Sequence, residues 1–312
     1  MGSLRGVHDY VDTAQGPMHE VDFGGSGRSI VLIHGLGGST TNWNAVAPAL
    51  AKVGKVRGID LPGFGLTPPR NDFHLETHRD SVIGYLETLE TPSHTLIGNS
   101  TGGLLSEMVA ANRPDLVERL VLVSPATPPR FPDPRLDWPT VVRLAVQATP
   151  LLGEAYGRYF LHSNTPEELT RKTMEMVTHK PGRVPVALIE ASRDMAAIRK
   201  KLPWAKYATA RTATSIARHY ARRSFYHDMI GSIEAPTLVI QGSSDHIVSP
   251  TAVEWLCSLR PEWDHAQLDD TGHTPQMDAP LRFMEVLDDW LVRTDTHGAN
   301  ELSAGLESPA SN

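Results

Sequence analysis

Ser100 stands in the run Gly98-Asn99-Ser100-Thr101-Gly102-Gly103, between two glycines spaced so that a sharp turn fits around it. The preceding apolar stretch, His94-Thr95-Leu96-Ile97, reads as a buried strand, and Leu104, Leu105, Met108 and Val109 follow at helical spacing. Strand, G-x-S-x-G and helix together place a serine hydroxyl at the carboxyl edge of a sheet in a strained turn. A serine is a weak nucleophile at neutral pH, so it needs a base, and the base needs an orienting group. Both occur downstream, after strand-like runs. Thr237-Leu238-Val239-Ile240-Gln241-Gly242 leads to Asp245, and His265-Ala266-Gln267-Leu268 leads to His273. Ser100, Asp245 and His273 are therefore the expected nucleophile, acid and base. His246, Asp60, Asp228, Asp269, Asp270 and Asp278 are the competing histidine and acids, each less well placed by chain order or by position after a strand.

Acyl transfer also builds negative charge on an oxygen, and each backbone N–H aimed at it stabilises the transition state by ~3–4 kcal/mol. Ser29-Ile30-Val31-Leu32-Ile33 reads as a strand ending in His34-Gly35-Leu36-Gly37-Gly38. The N–H of Leu36, in that loop, and of Thr101, heading the helix after the serine, are the expected donors. Trp43, Asn99 and Met277 are the candidates for the substrate pocket, with core packing the competing account of Trp43 and Met277.

These motifs, in this order, resemble the α/β-hydrolase superfamily, esterase/lipase-like branch. The resemblance runs over most of residues 17 to 292 and includes Asp60-Leu61-Pro62-Gly63-Phe64-Gly65, similar to the family's loop after the next core strand. It implies an α/β-hydrolase fold: a mostly parallel central sheet covered by helices on both faces, with an inserted helical cap. Asn99 and Thr101 stand where many relatives carry histidine and methionine.

The elements that must position these groups alternate as strand and helix. Strands are expected at Lys55 to Ile59 and Arg119 to Ser124, and helices near Trp43 to Ala51 and near Leu75 to Leu89. Such alternation predicts a parallel sheet with its site at the carboxyl ends of the strands. Gly24-Gly25-Ser26-Gly27, between two strands, reads as a hairpin turn. From about Ala126 to Ile230 the strand pattern stops and helical periodicity takes over. The expected division is a first core part at 1–125, a helical cap at 126–230, a second core part at 231–292 and a flexible tail at 293–312.

At 312 residues, 40% hydrophobic and 21% charged, the chain has a soluble globular composition and enough length for a large core. Its single cysteine, Cys257, excludes an intrachain disulfide and reads as a buried thiol beside Val253, Trp255 and Leu256. No basic stretch followed by an apolar run opens the chain, and no apolar run approaches a membrane span, so a cytoplasmic protein is expected. The overall charge of −7 divides into +8 over residues 126–230 and −15 elsewhere. A basic cap on an acidic core is the first account of that split. Attraction of an anionic substrate or membrane surface by Arg199-Lys200-Lys201 or Arg222-Arg223 is the second. Nucleic acid is the weakest, because no aromatics interleave with the basic residues. No metal-ligand cluster, phosphate loop or dinucleotide fingerprint is complete, so neither metal nor cofactor is expected.

The expected activity is that of a serine hydrolase cleaving a carboxylic ester, or related acyl bond, of a small to medium apolar substrate (EC 3.1.1 type). Carbon–carbon hydrolysis of a ring-fission diketone is the runner-up, since Gly-Asn-Ser-x-Gly-Gly also resembles that branch. Those relatives usually carry tryptophan after the histidine, where this chain has Thr274. A non-enzymatic ligand receptor on the same fold is the reading from a different class.

Overall fold

The computed structural model describes residues 6–306 apart from 134 and 136, with side chains described as far as residue 295. Eight strands form one sheet: β1 (Val7–Thr13), β2 (Gly16–Gly24), β3 (Ser29–Ile33), β4 (Lys55–Ile59), β5 (His94–Asn99), β6 (Val117–Val123), β7 (Thr237–Gly242) and β8 (Asp264–Leu268). Their spatial order is β1-β2-β4-β3-β5-β6-β7-β8. β1 and β2 pair antiparallel at one edge, β2 joins β4 antiparallel, and β4 through β8 run parallel. This is the mostly parallel α/β sheet expected from the sequence.

The central strands are apolar along their whole length because both faces are covered. Alternate side chains divide between two layers. Val31, Ile33, Leu96, Leu120, Leu122 and Val239 enter one core; Ile30, Leu32, Ile97, Val121, Leu238 and Ile240 enter the other. The first is closed by α2 (Leu75–Leu86), α3 (Thr101–Asn112) and residues of the helix at Arg223–Gly231. The second is closed by the short α1 (Ala47–Leu50) and by the last helix, Pro280–Leu306. In that last helix Phe283, Leu287 and Trp290 are fully buried, each burial stabilising by roughly 1.5–3 kcal/mol.

Three local expectations are corrected. Gly24–Gly27 is no hairpin, because β4 lies between β2 and β3; the hairpin of this edge joins β1 and β2 at Thr13 and Gly16. Gly25, at φ +87°, crosses so close to the backbone at Gly54 that a Cβ would lie 1.9 Å from its carbonyl oxygen. The helix expected near Trp43 to Ala51 is a 3-10 turn, Thr40–Trp43, followed by α1. The final helix continues through Leu306, past residue 292 where the core was expected to end; residues 307–312 lie outside the described part.

Between β6 and β7 come α4 (Trp138–Ala148), α5 (Leu152–Ser163), α6 (Pro166–Val177), α7 (Val186–Arg199), α8 (Ala205–Tyr220) and α9 (Arg223–Gly231). Parallel neighbours need a crossover that returns along the sheet, and α9 supplies it. Tyr226, Met229 and Ile230 of α9 share a core cluster with Leu120, Leu122 and Val239, so α9 belongs to the sheet's own covering layer. With α10 (Pro250–Leu259), α11 (Pro275–Asp278) and α12 (Pro280–Leu306), the described α-helices are complete.

Strand order reverses between β3 and β5, since β3 leads outward to β4 on one side and the chain then returns to β5 on the other. The crevice outside the carboxyl ends of such a pair is where open α/β sheets bind ligands. Here it lies between the loop after β3 and the turn after β5.

Candidate active site

Ser100 occupies that turn. It caps α3 with φ 55° and ψ −117°, a strained conformation for a non-glycine residue. Its backbone is over-determined: its N–H donates to Val123 O at 2.9 Å, and its carbonyl accepts from Leu104 N and Ala126 N. The flanking glycines are sterically required. A Cβ at Gly98 would meet Gly102 O at 2.3 Å, and one at Gly102 would meet Ile33 O at 2.2 Å. The loop after β3 comes equally close, with a Cβ built on Gly35 falling 3.0 Å from Ser100 Cβ.

Beyond β7, Asp245 is buried with a donor at each carboxylate position. Oδ1 accepts from Ile247 N at 2.8 Å and Val248 N at 3.0 Å; Oδ2 accepts from Gln241 Nε2 at 3.0 Å and faces His273 Nδ1 at 2.8 Å. A carboxylate at Nδ1 keeps the proton there and leaves Nε2 as the acceptor. Asp245 is the one of the candidate acids that holds this imidazole. Asp60 is taken up by His19 Nδ1, Thr40 N and Leu66 N. Asp270 pairs with Lys180 and Arg183, which hold its carboxyl at about 2. Asp278 accepts from Gly272 N and His179 N, and Asp228 and Asp269 face solvent. His246 is exposed on the cavity wall.

Ser100, His273, Leu36, Thr101, Asn99 and Met277 all line one cavity of about 1250 Å³. As the first residue of α3, Thr101 has an N–H with no partner inside the helix. Leu36 follows His34, whose fully buried ring braces the loop: Nε2 accepts from Leu61 N at 3.0 Å, and Nδ1 donates to Gly35 O at 2.7 Å. That pairing needs the neutral ring, and burial lowers the His34 pKa accordingly. Asn99 lines the cavity but spends its amide on structure, donating to Val123 O at 3.0 Å and His273 O at 3.2 Å. It ties the ends of β5 and β6 to the histidine loop. Trp43 is corrected. Its ring is fully buried among Ile30, Leu32 and Val46 on the opposite side of the sheet, and its neighbours Thr41 and Asn42 reach the cavity instead.

The remaining walls come from α4 to α8, among them Val141, Leu144, Tyr156, Met195 and Ile216. Four cations stand there, Arg143, Lys172, Arg199 and Lys206. Arg199, the last residue of α7, donates from Nη1 to Gly37 O at 3.1 Å and from Nη2 to Thr209 Oγ1 at 2.8 Å. Among the described residues no carboxylate lies within ion-pair distance of it, and burial lowers its pKa. The sequence signals only a basic run, Arg199-Lys200-Lys201, without marking which member turns inward. A second feature invisible to spacing is the seam between the histidine loop and α6, where Thr274 N donates to Val177 O at 3.1 Å.

A sequence profile of the alpha/beta hydrolase fold matches residues 28–280. The chain is 28% identical over 290 residues to the 2-hydroxymuconate semialdehyde hydrolase of a Pseudomonas species, covering 87% of this chain and 89% of that one. It is 27% identical over 255 residues to the pimeloyl-[acyl-carrier protein] methyl ester esterase of Aromatoleum aromaticum, covering 80% and 93%. A putative lipase from Acinetobacter baumannii superimposes with a TM-score of 0.75 at 20% identity, covering 93% of this chain and 92% of that one. With its sheet order, its helical layers and a profile match over most of its length, the chain belongs to the α/β-hydrolase fold family.

Proposed function

We propose that the protein is a serine hydrolase that cleaves a carboxylic ester, or a related acyl bond, of a small to medium apolar substrate. The observation that carries this reading is the 2.8 Å bond from His273 Nδ1 to the buried Asp245, with His273 lining the cavity that Ser100 also lines. In the first half-reaction His273 Nε2 takes the Ser100 proton as Oγ bonds to the acyl carbon. The N–H groups of Leu36 and Thr101 hold the resulting oxyanion. Collapse breaks the carbon–oxygen bond, the proton passes from His273 to the departing alcohol, and an acyl-enzyme is left. Water then attacks by the same route, returning the proton to Ser100 and releasing the acid. Residues 126–230 act as a cap in this scheme, with α4 to α8 roofing the acyl chain and excluding water. The surroundings would be cytoplasmic; among the described residues no helix is long and apolar enough to cross a membrane.

A second reading is favoured by Arg199. A guanidinium in the cavity wall with only neutral acceptors suits a substrate carrying its own carboxylate. That chemistry fits an acid-bearing ring-fission diketone, cleaved at carbon–carbon by the same three residues, and the likeness to the semialdehyde hydrolase points the same way.

The test is steady-state hydrolysis of p-nitrophenyl esters of rising acyl length, with Ser100→Ala beside the wild type. Turnover that disappears in the variant supports the esterase, and the optimum length sizes the pocket. Absence of turnover with every ester, together with turnover of an acid-bearing diketone, replaces it with the second reading. Ligand binding without turnover of either class would make the fold a receptor.

A further inference from the structure

Of the thirteen large hydrophobic residues that stand exposed among the described residues, six fall within residues 131–160. They are Phe131, Trp138, Val142, Leu151, Leu152 and Tyr159, between 53% and 80% exposed by residue. The clustering is geometric as well as sequential. On α4, Trp138, Val142 and the exposed Ala145 recur at helical spacing along one face. At the adjoining α5, Ala155 and Tyr159 recur every fourth residue from Leu151, which caps the helix, with Leu152 beside it. Phe131 stacks on Trp138 with ring centroids 6.4 Å apart.

The opposite faces of the same two helices, through Val141, Leu144, Tyr156 and Phe160, line the cavity. Phe131, Ala145 and Tyr159 belong to both, being exposed outside and lining the cavity within. The apolar patch is therefore the rim of the cavity mouth. Leu151 adds a further oddity: it stands 80% exposed at φ 64°, a left-handed conformation that leucine disfavours and that no burial here offsets.

We propose that the α4–α5 face docks on an anionic lipid bilayer surface, so that the cavity mouth opens against the lipid. Charge selects this occupant over a second copy of the chain. Residues 126–230 carry a net charge of +8 against −15 for the remainder. Exposed Arg158 on α5 and Lys206 have no carboxylate within ion-pair distance among the described residues. Lys206 lies beside α5, for a Cβ at Gly157 would fall 2.7 Å from its carbonyl oxygen. A two-fold pairing through this face would bring two cationic halves together and shut both cavities. An anionic surface is attracted to the same half, repels the acidic core, and receives Trp138 and Tyr159 at headgroup depth, where amphipathic rings sit.

Docking is read without turnover, so its failure is distinguishable from failure of the proposed hydrolysis. The measurement is co-sedimentation of the full chain with vesicles of equimolar phosphatidylglycerol and phosphatidylcholine, and with phosphatidylcholine alone. The Val142→Asp/Leu151→Asp double variant is run beside the wild type; both positions are exposed and neither lines the cavity. The expected result is wild-type binding to the anionic vesicles, weakened by added salt, and at least about tenfold weaker in the double variant. An unchanged thermal midpoint would show that the variant is folded. Wild type left in the supernatant, or a variant that binds equally well, overturns the proposal. So does a wild-type dimer that the double substitution splits, which would assign the face to a second copy.

Discussion

Arg199 Nη1 donates to the carbonyl of Gly37 at 3.1 Å, joining the end of α7 to the loop that follows β3. Gly37 stands at φ 74°, and Leu36 beside it carries the N–H proposed to meet the oxyanion. One side chain of the helical insertion thus braces the backbone that must be in place when charge develops. The same side chain brings the cavity a positive charge that no described carboxylate neutralises.

Arg199→Met keeps the apolar stem and removes both roles. With neutral esters kcat is expected to fall about tenfold, as the loop loses a charge-assisted bond worth ~1.5–3 kcal/mol. With an acyl substrate bearing a carboxylate, KM should rise as well. Steady-state kinetics on a matched pair of neutral and acidic esters separates the effects. Equal kinetics in variant and wild type on both would refute each role.

Asp245→Asn removes the acceptor that fixes the tautomer of His273. An activity loss of about 10³–10⁴-fold in kcat is expected, with KM little changed. The same substitution at Asp270, which is engaged by Lys180 and Arg183, should cost less than threefold, by order-of-magnitude reckoning from surface ion pairs. A reversed ranking would move the acid of the mechanism to another residue.

Glu107, on the helix that Ser100 caps, is fully buried, with Oε1 unpartnered and Oε2 3.4 Å from the Tyr226 hydroxyl. Burial pushes its pKa well above the usual carboxylate range. A raised folded-state value means the native chain holds the proton more tightly than the unfolded one. Its contribution is therefore full below the unfolded value, near pH 4.3, and is lost as pH rises from there through the folded value. Glu107→Gln should flatten the decline of the unfolding midpoint between pH 5 and 9, as followed by urea titration at each pH. Parallel curves for variant and wild type would refute it.

His78 behaves in the opposite sense. Fully buried beside Phe64 and Phe73, it has its pKa pushed down to about 3 by burial. The native chain resists the proton that the unfolded chain accepts near pH 6.5, so stability is present above that value and lost as pH falls toward 3. His78→Gln should lessen the loss of stability between pH 6 and 4, measured by the same titration. The hydrogen bond to Thr212 Oγ1 at 3.2 Å is a contact that glutamine can keep.

The strands Ser29–Ile33, Lys55–Ile59 and Thr237–Gly242 were readable to the residue because a strand buried on both faces has an unmistakable composition. Position along the chain also brought Asp245 and His273 to consecutive strand ends, where they do meet. Two-dimensional order was harder. Gly24–Gly27 looks like any hairpin turn until β4, thirty residues on, is placed between the strands it joins. Trp43 follows a loop rather than a strand, so no alternation announces which side of the sheet it will occupy. Arg199 was legible as a charge but not as an inward one, because its direction depends on Thr209, on the next helix, and on Gly37, far from it in sequence. Asn99, read as a pocket residue, turns its amide to two carbonyls that only the folded sheet assembles.

β6 and β7 are paired neighbours, Leu120 beside Thr237 and Val123 beside Ile240, and α9, packed on the sheet's own core, leads the chain back into β7. The stretch from α4 to α8, proposed above as the roof of the cavity, lies between β6 and that helix. The instructions for building the scaffold and those for the far wall of the chamber occupy different lengths of the chain. A lineage can rewrite the second, by substitution or by wholesale exchange, while leaving the groups proposed to react where they stand.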